Sequence, residues 1–151
     1  MPNYFDRGMY RALRQAEEAL RSGEVPVGAV VMHGERLLGT GSNRTMMSND
    51  PTAHAEMLAI SAATQTLGEQ YLEGCTLFVT LEPCPMCAGA ILLARLDRVV
   101  FGANDPKMGA AGSLYNLLEE GKLPKKTTVV GGICEQECGD ILRRFFQERR
   151  N

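Results

Sequence analysis

The stretch LEPCPMCAGA, residues 81–90, places two residues between Cys84 and Cys87, with Pro83 and Pro85 at the junction. A pair this close can share a metal ion or form a redox disulfide. A tetrahedral metal needs more ligands, and the chain offers one upstream. His54 lies in NDPTAHAE (49–56), with Glu56 two positions on. Thiolates together with an imidazole favour zinc. Cys84 and Cys87, at i and i+3, share one face of a helix. A helix N-terminus stabilises the thiolate that a metal requires. Three protein ligands leave a fourth position for water, whose pKa zinc lowers to about 7. Glu56 is then suited to carry protons, taking one from that water and returning it to a leaving group.

Other readings of these residues explain less. A thioredoxin-like redox pair would use Cys84 and Cys87 but leave His54 and Glu56 idle. A closed structural zinc site would need another ligand from Cys75, Cys134 or Cys138. Cys75 opens an apolar run and reads as core packing. Cys134, at a strand end, and Cys138, in the helix after it, also read as packing residues. The other histidine, His33, stands beside Gly34 and reads as an exposed turn residue.

The elements that must position the site alternate along the chain. YFDRGMYRALRQAEEALRSG carries apolar residues at helical spacing and ends at Gly23. VPVGAVVMHGERLLGTGSN reads as two strands turning at His33-Gly34. DPTAHAEMLAISAATQTLG reads as a helix capped by Asp50 or Thr52, with Pro51 in its first turn and Gly68 at its end. CTLFVTL is a short buried strand, and PCPMCAGAILLARL a helix opened by prolines. RVVFGA is a strand, SLYNLLEEG a short helix, TTVVGGI a fifth strand and EQECGDILRRFFQERR a terminal helix. This order predicts an α/β domain with about five strands covered by helices. The third to fifth strands are expected to be reached by helical crossovers.

Length and composition bound the rest. The 151 residues, 44 % of them hydrophobic, suit one domain spanning 1–151. No apolar run reaches the roughly 18 residues of a membrane span. The N-terminal residues lack the pattern of a signal peptide, and the five cysteines are an odd number. A cytoplasmic protein that does not engage a membrane is therefore expected. The net charge of −2 excludes a uniformly basic nucleic-acid binder. Arg143, Arg144, Arg149 and Arg150 with Lys122, Lys125 and Lys126 could still form a local basic patch. GANDPKMGAAGS (102–113) lacks the spacing and the Lys-Ser/Thr pair of a P-loop, so no nucleotide cofactor is expected.

The pairing of H-x-E with P-C-x-x-C is the signature of zinc nucleobase deaminases. Four blocks sharpen it: EVPVGAV (24–30), NDPTAHAE (49–56), TLEPCPMCAGA (80–90) and RVVFGANDPKMGAAGSL (98–114). Over almost the whole chain the sequence resembles the bacterial tRNA-specific adenosine deaminases of the cytidine deaminase superfamily. That resemblance implies a three-layer α/β/α cytidine deaminase-like fold with a five-stranded mixed sheet, a homodimer and one zinc ion per subunit. It implies conversion of the wobble adenosine of a tRNA anticodon loop to inosine, usually in an arginine tRNA with anticodon ACG.

Carried onto this chain, the resemblance makes His54, Cys84 and Cys87 the zinc ligands and Glu56 the general acid/base. Asn43 would hydrogen-bond the purine, the backbone N–H of Ala55 would meet its reacting edge, and Val27 would pack on its face. Val27 reads equally well as a buried strand residue. In the glycine-rich segment 102–113, read from its residues as an RNA-contacting loop or else a plain turn, Asp105 would accept from a ribose hydroxyl and Lys107 would meet phosphate. Phe146, or its neighbour Phe145, would stack on RNA. In the implied hydrolysis water adds at carbon 6, Glu56 moves protons to the neighbouring ring nitrogen and then to the amine, and ammonia leaves. Two alternatives share the zinc motif: a deaminase of a free base or nucleoside such as guanine or cytosine, and a non-catalytic RNA-binding module that uses zinc structurally.

Overall fold

The strand Gly28–His33 (β1) sends Ala29 and Val31 into one buried cluster and Val30 and Met32 into another. Successive side chains of a strand point to opposite faces, so both faces of this one must be covered. The structure, a computed structural model describing residues 1–120 and 125–150, covers each face with helices. On one face α2 (Ala55–Leu67) and α3 (Pro85–Leu93) contribute Ala59, Ala63, Ala88 and Ile91. On the other, α1 (Tyr4–Arg21) and α4 (Glu135–Arg150) contribute Met9, Ala12 and Cys138. This is the expected three-layer α/β/α arrangement.

The sheet is completed by β2 (Arg36–Ser42), β3 (Thr76–Leu81), β4 (Arg98–Ala103) and β5 (Thr128–Val130), in the order β2-β1-β3-β4-β5. β1 runs antiparallel to β2 and β3, while β3–β4 and β4–β5 are parallel, so the sheet is mixed. α1 starts at a capping box in which Asn3 and Asp6 satisfy each other's backbone N–H. Its buried residues Met9, Ala12, Ala16 and Ala19 recur at steps of three and four, one helical stripe. α2 lies very close to β2. A Cβ on Gly41 would stand 2.1 Å from the carbonyl oxygen of Ala55, so only glycine lets the start of α2 seat there.

Four expectations are corrected. The hairpin turns at Gly34-Glu35, one residue later than expected. α2 begins at Ala55, with His54 rather than Asp50 or Thr52 as its N-cap. Asp50 instead closes a local turn, its Oδ1 accepting from the backbone N–H and the hydroxyl of Thr52. The predicted helix over 113–121 is absent among the described residues, where 113–120 form turns and one bridge between Ala111 and Asn116. Instead the Gly112 N–H donates forward to the Tyr115 carbonyl and the Leu117 N–H to the Ala110 carbonyl, neither of them the four-residue step of a helix. Consequently β5, only three residues long, is not reached through a helix among the described residues.

Candidate active site

The metal-ligand candidates come from two helix starts. His54 is the N-cap of α2 and Cys84 the N-cap of α3, both extended and neither using its side chain to cap. Both side chains are therefore free to point away from their helices. Pro85 fits the first turn of α3, where a missing N–H costs nothing. Cys87, one turn into α3, is fully buried. His54 Nδ1 lies 3.6 Å from Cys84 Sγ and 3.5 Å from Cys87 Sγ. The three ligand atoms all fall within 4.8 Å of one another. Zinc bonds of about 2.0 Å to nitrogen and about 2.3 Å to sulfur, at a tetrahedral angle, put the two atoms about 3.5 Å apart. The donors thus stand where a tetrahedral ion would need them.

Electrostatics divide the two thiols. A hydrogen bond from Cys87, aided by His54 and opposed by partial burial, draws Cys84 down to about 4. The same bond, together with burial, pushes Cys87 up. The contact with Cys84 also raises His54, against its partial burial. The shared proton thus favours a thiolate at Cys84, the form a metal ligand needs.

A cavity of about 410 Å³ opens beside the cluster, within the range of small-molecule sites. His54, Cys84 and Glu56 reach its wall, as do Val27, Asn43 and Ala55. Glu56 is 3 % exposed. Burial pushes its carboxyl up to about 7, against the pull of its own backbone N–H and of His54. Asn43 is fixed from two sides: its backbone N–H donates to Val27 and its Nδ2 to the Val25 carbonyl at 3.1 Å. Its Oδ1 is buried with no partner among the described residues. Ala55 opens α2, so its N–H has no acceptor within that helix.

A family model described as MafB19-like deaminase matches residues 5–150. A tRNA-specific adenosine deaminase of Bacillus subtilis is 48 % identical over 94 % of this chain and 88 % of its own length. The solved structure of a tRNA:A34 deaminase, from work on A-to-I editing at the wobble position, is 41 % identical with a TM-score of 0.85, covering 89 % of this chain and 98 % of that one. The chain belongs to the tRNA-specific adenosine deaminase family. A guanine deaminase of Bacillus subtilis is a more distant likeness, 31 % identical with a TM-score of 0.65 over 99 % of this chain and 96 % of its own.

The other candidate residues of this family member are spread more widely. Asp105 reaches the cavity wall, but Lys107 does not. Asp105 Oδ1 already accepts from the backbone N–H groups of Lys107 and Met108. Phe145 is buried at 5 % exposure and carries the Arg149 guanidinium on its ring, while Phe146 is 49 % exposed on α4 and is not among the residues lining the cavity. Cys75 and Cys138 are buried packing residues, as expected, and His33 is exposed. In the basic patch, Lys122 and the side chain of Arg150 lie outside the described residues. Lys125 is engaged with Asp97 at 2.7 Å, and Arg143 with Asp140.

Sequence reasoning missed two buried glutamates. Glu82, 2 % exposed and on the cavity wall, accepts from the backbone N–H groups of Asp105 (3.0 Å), Ala111 (2.9 Å) and Ser113 (3.0 Å) and from the Ser113 hydroxyl. Burial alone would raise its carboxyl, but these bonds hold it below the usual range. Glu24, 1 % exposed, accepts from Met46 at 3.0 Å and Met47 at 2.7 Å. The only sequence signal was an acidic residue inside an otherwise apolar block, in EVPVGAV and in TLEPC.

Proposed function

We propose that this chain, acting as one domain over 1–151, converts the wobble adenosine of a tRNA anticodon loop to inosine, with an arginine tRNA bearing ACG as substrate. The supporting observation is the His54, Cys84 and Cys87 cluster at zinc-like spacing, with Glu56 buried against the same cavity. Zinc is the ion we assign to it, one per subunit, and when bound it would activate a water for attack. Glu56 takes one proton from that water to the ring nitrogen beside carbon 6, and then carries a second, from the hydroxyl added at carbon 6, to the departing amine. Water is consumed and ammonia released. A carboxyl poised near 7 can do both at neutral pH.

Asn43 offers its unpaired Oδ1 and its second Nδ2 hydrogen to the purine and sugar. Val27 packs on the base, and the Ala55 N–H faces the reacting edge. The adenosine must leave its stack to enter, which an unpaired anticodon loop makes less costly. Asp105, on the cavity wall, accepts from a ribose hydroxyl, Lys107 meets phosphate outside the cavity, and Phe146 offers a stacking surface on α4. A homodimer in the cytoplasm follows from the family resemblance. Exposed Met46 and Met47, next to the cavity residue Thr45, are apolar surface of the kind a second copy covers. Among the described residues no helix is long and apolar enough to cross a membrane.

The test is inosine formation in an anticodon stem-loop carrying a wobble adenosine, with Glu56→Ala as control and free nucleosides and bases assayed alongside. Inosine in the RNA, lost in Glu56→Ala while zinc is retained, is the expected result. Deamination of guanine or another free base alone would shift the reading to a base deaminase. RNA binding without turnover would shift it to a zinc-stabilised binding module.

A further inference from the structure

Nothing in the reaction above uses Glu82, yet it is the most heavily bonded carboxylate in the described structure. An ionised carboxylate has about four acceptor positions. Here Asp105, Ala111 and Ser113 direct backbone N–H groups at it, the Ser113 hydroxyl joins them, and Asn104 Nδ2 approaches to 3.5 Å. Those donors come from both ends of a segment, 104–113, with no helix or strand of its own. A Cβ on Gly109 would stand 2.5 Å from Glu82 Oε2 and 2.5 Å from the Asp105 carbonyl, so the middle of the segment also closes tightly on the carboxylate. The bonds continue outward. Glu82 Oε1 fixes the Asp105 backbone, and Asp105 Oδ1 accepts from Lys107 at 3.0 Å and Met108 at 3.2 Å. Asp105 and Met108 line the cavity mouth.

We propose that Glu82 is a positioning residue for RNA. Its buried carboxylate holds 104–113 as a preformed wall and so sets where Asp105 and Met108 meet the nucleotides around the entering adenosine. The inference rests on the tRNA reading of this cavity. A segment already ordered adds no ordering cost when RNA binds, so loosening it should weaken binding more than chemistry.

The test uses zinc-loaded enzyme and Glu82→Gln, Ser113→Ala and the double variant. Glutamine keeps the shape but turns an NH2 group toward backbone donors. Amide exchange at 105, 111 and 113 should accelerate in Glu82→Gln, with one zinc per chain retained. On the stem-loop, kcat/KM should fall about 10- to 100-fold, mostly through KM. Ser113→Ala should lose less, and the double variant should fall no more than about twofold below Glu82→Gln, because the two share one network. An unchanged KM despite faster exchange would reduce Glu82 to a fold residue and overturn the inference. So would a loss confined to kcat with zinc below one per chain, since Glu82 would then act through the metal ligands. Wild-type enzyme that makes no inosine would overturn the tRNA reading and this inference with it. Wild-type activity with an unchanged Glu82→Gln KM would overturn this inference alone.

Discussion

Glu56 and Glu82 line one cavity, and both are almost wholly buried, at 3 % and 2 % exposure. Burial raises a carboxyl unless something replaces the lost water. Around Glu56 little does, and its carboxyl rises to about 7. Around Glu82 three backbone N–H groups and a hydroxyl do, and its carboxyl falls below the usual range. The same residue type, within one pocket, becomes a proton carrier in one place and a fixed anion in the other. The difference lies in the donors aimed at each and in how much protein surrounds each carboxylate. Where backbone donors converge the charge is permanent and structural; where they are few, the proton can come and go.

The sharpest way to break this contrast is to remove the charge from Glu56. Glu56→Gln keeps the volume but cannot transfer a proton. It should lower kcat by about 10²- to 10⁴-fold, the usual worth of a positioned acid/base. Zinc content, read by atomic absorption, should remain at one per chain. A loss of comparable size that fell in KM would make Glu56 act on binding, as Glu82 does through the 104–113 segment, and remove the distinction.

The next largest effect is expected at Cys87, which belongs to the metal cluster and is fully buried. Cys87→Ser replaces a soft ligand by a poor one and leaves a hydroxyl in an apolar setting. The variant should lose its zinc and unfold about 5–10 °C lower, a loss of about 2–3 kcal/mol for a chain of this size. Stoichiometric zinc in the purified variant would show that His54 and Cys84 suffice to hold the ion.

The features legible in the amino-acid sequence are those with a local signature. His54 and Glu56 are close in sequence, as are Cys84 and Cys87, so their spacing carried the chemistry. α1 was readable because Met9, Ala12, Ala16 and Ala19 repeat at helical steps, and α3 because Pro85 marks its first turn. The start of α2 was not, because Pro51 and Thr52 look like a helix opening while Asp50 spends its side chain on a local turn. The segment SLYNLLEEG has helical composition, but its Leu117 N–H pairs with Ala110 rather than with Ser113, and Glu82, 29 and 31 residues earlier, anchors the N–H groups of Ala111 and Ser113 beside it. Glu24 likewise reaches partners 22 and 23 residues away. Both glutamates bond chiefly to backbone, which every residue has, so the pattern of side-chain types did not reveal the pairing.

Glu24 allows the contrast to be graded. It is as buried as Glu82 but receives two backbone donors, at Met46 and Met47, next to the cavity residue Thr45. Glu24→Gln presents one carbonyl oxygen to two N–H groups and should leave one of them unsatisfied. The expected loss is about 1–2 kcal/mol, read as a lower urea midpoint at an unchanged slope. A change in slope would mean that the whole 44–50 segment, rather than one bond, had come loose.

The smallest effect is expected where a carboxylate is clasped but wet. Asp97 is bonded to Lys125 Nζ at 2.7 Å, and the two side chains are 50 % and 37 % exposed. The bond from Lys125, and after it the Gly74 N–H, holds the Asp97 carboxyl below its ordinary value. A lowered folded pKa means stability that is present above the unfolded value of about 3.9 and lost as pH falls through the folded one. Water screens the pair, so Asp97→Asn should cost no more than about 0.5 kcal/mol at neutral pH. The gap between wild type and variant should close as the pH is lowered from 5 toward 3, within the acid range where both remain folded. A gap that persisted at the acid end would show that shape rather than charge holds Lys125 in place, and the link between donor count and permanent charge would then apply only to the dry side of the molecule.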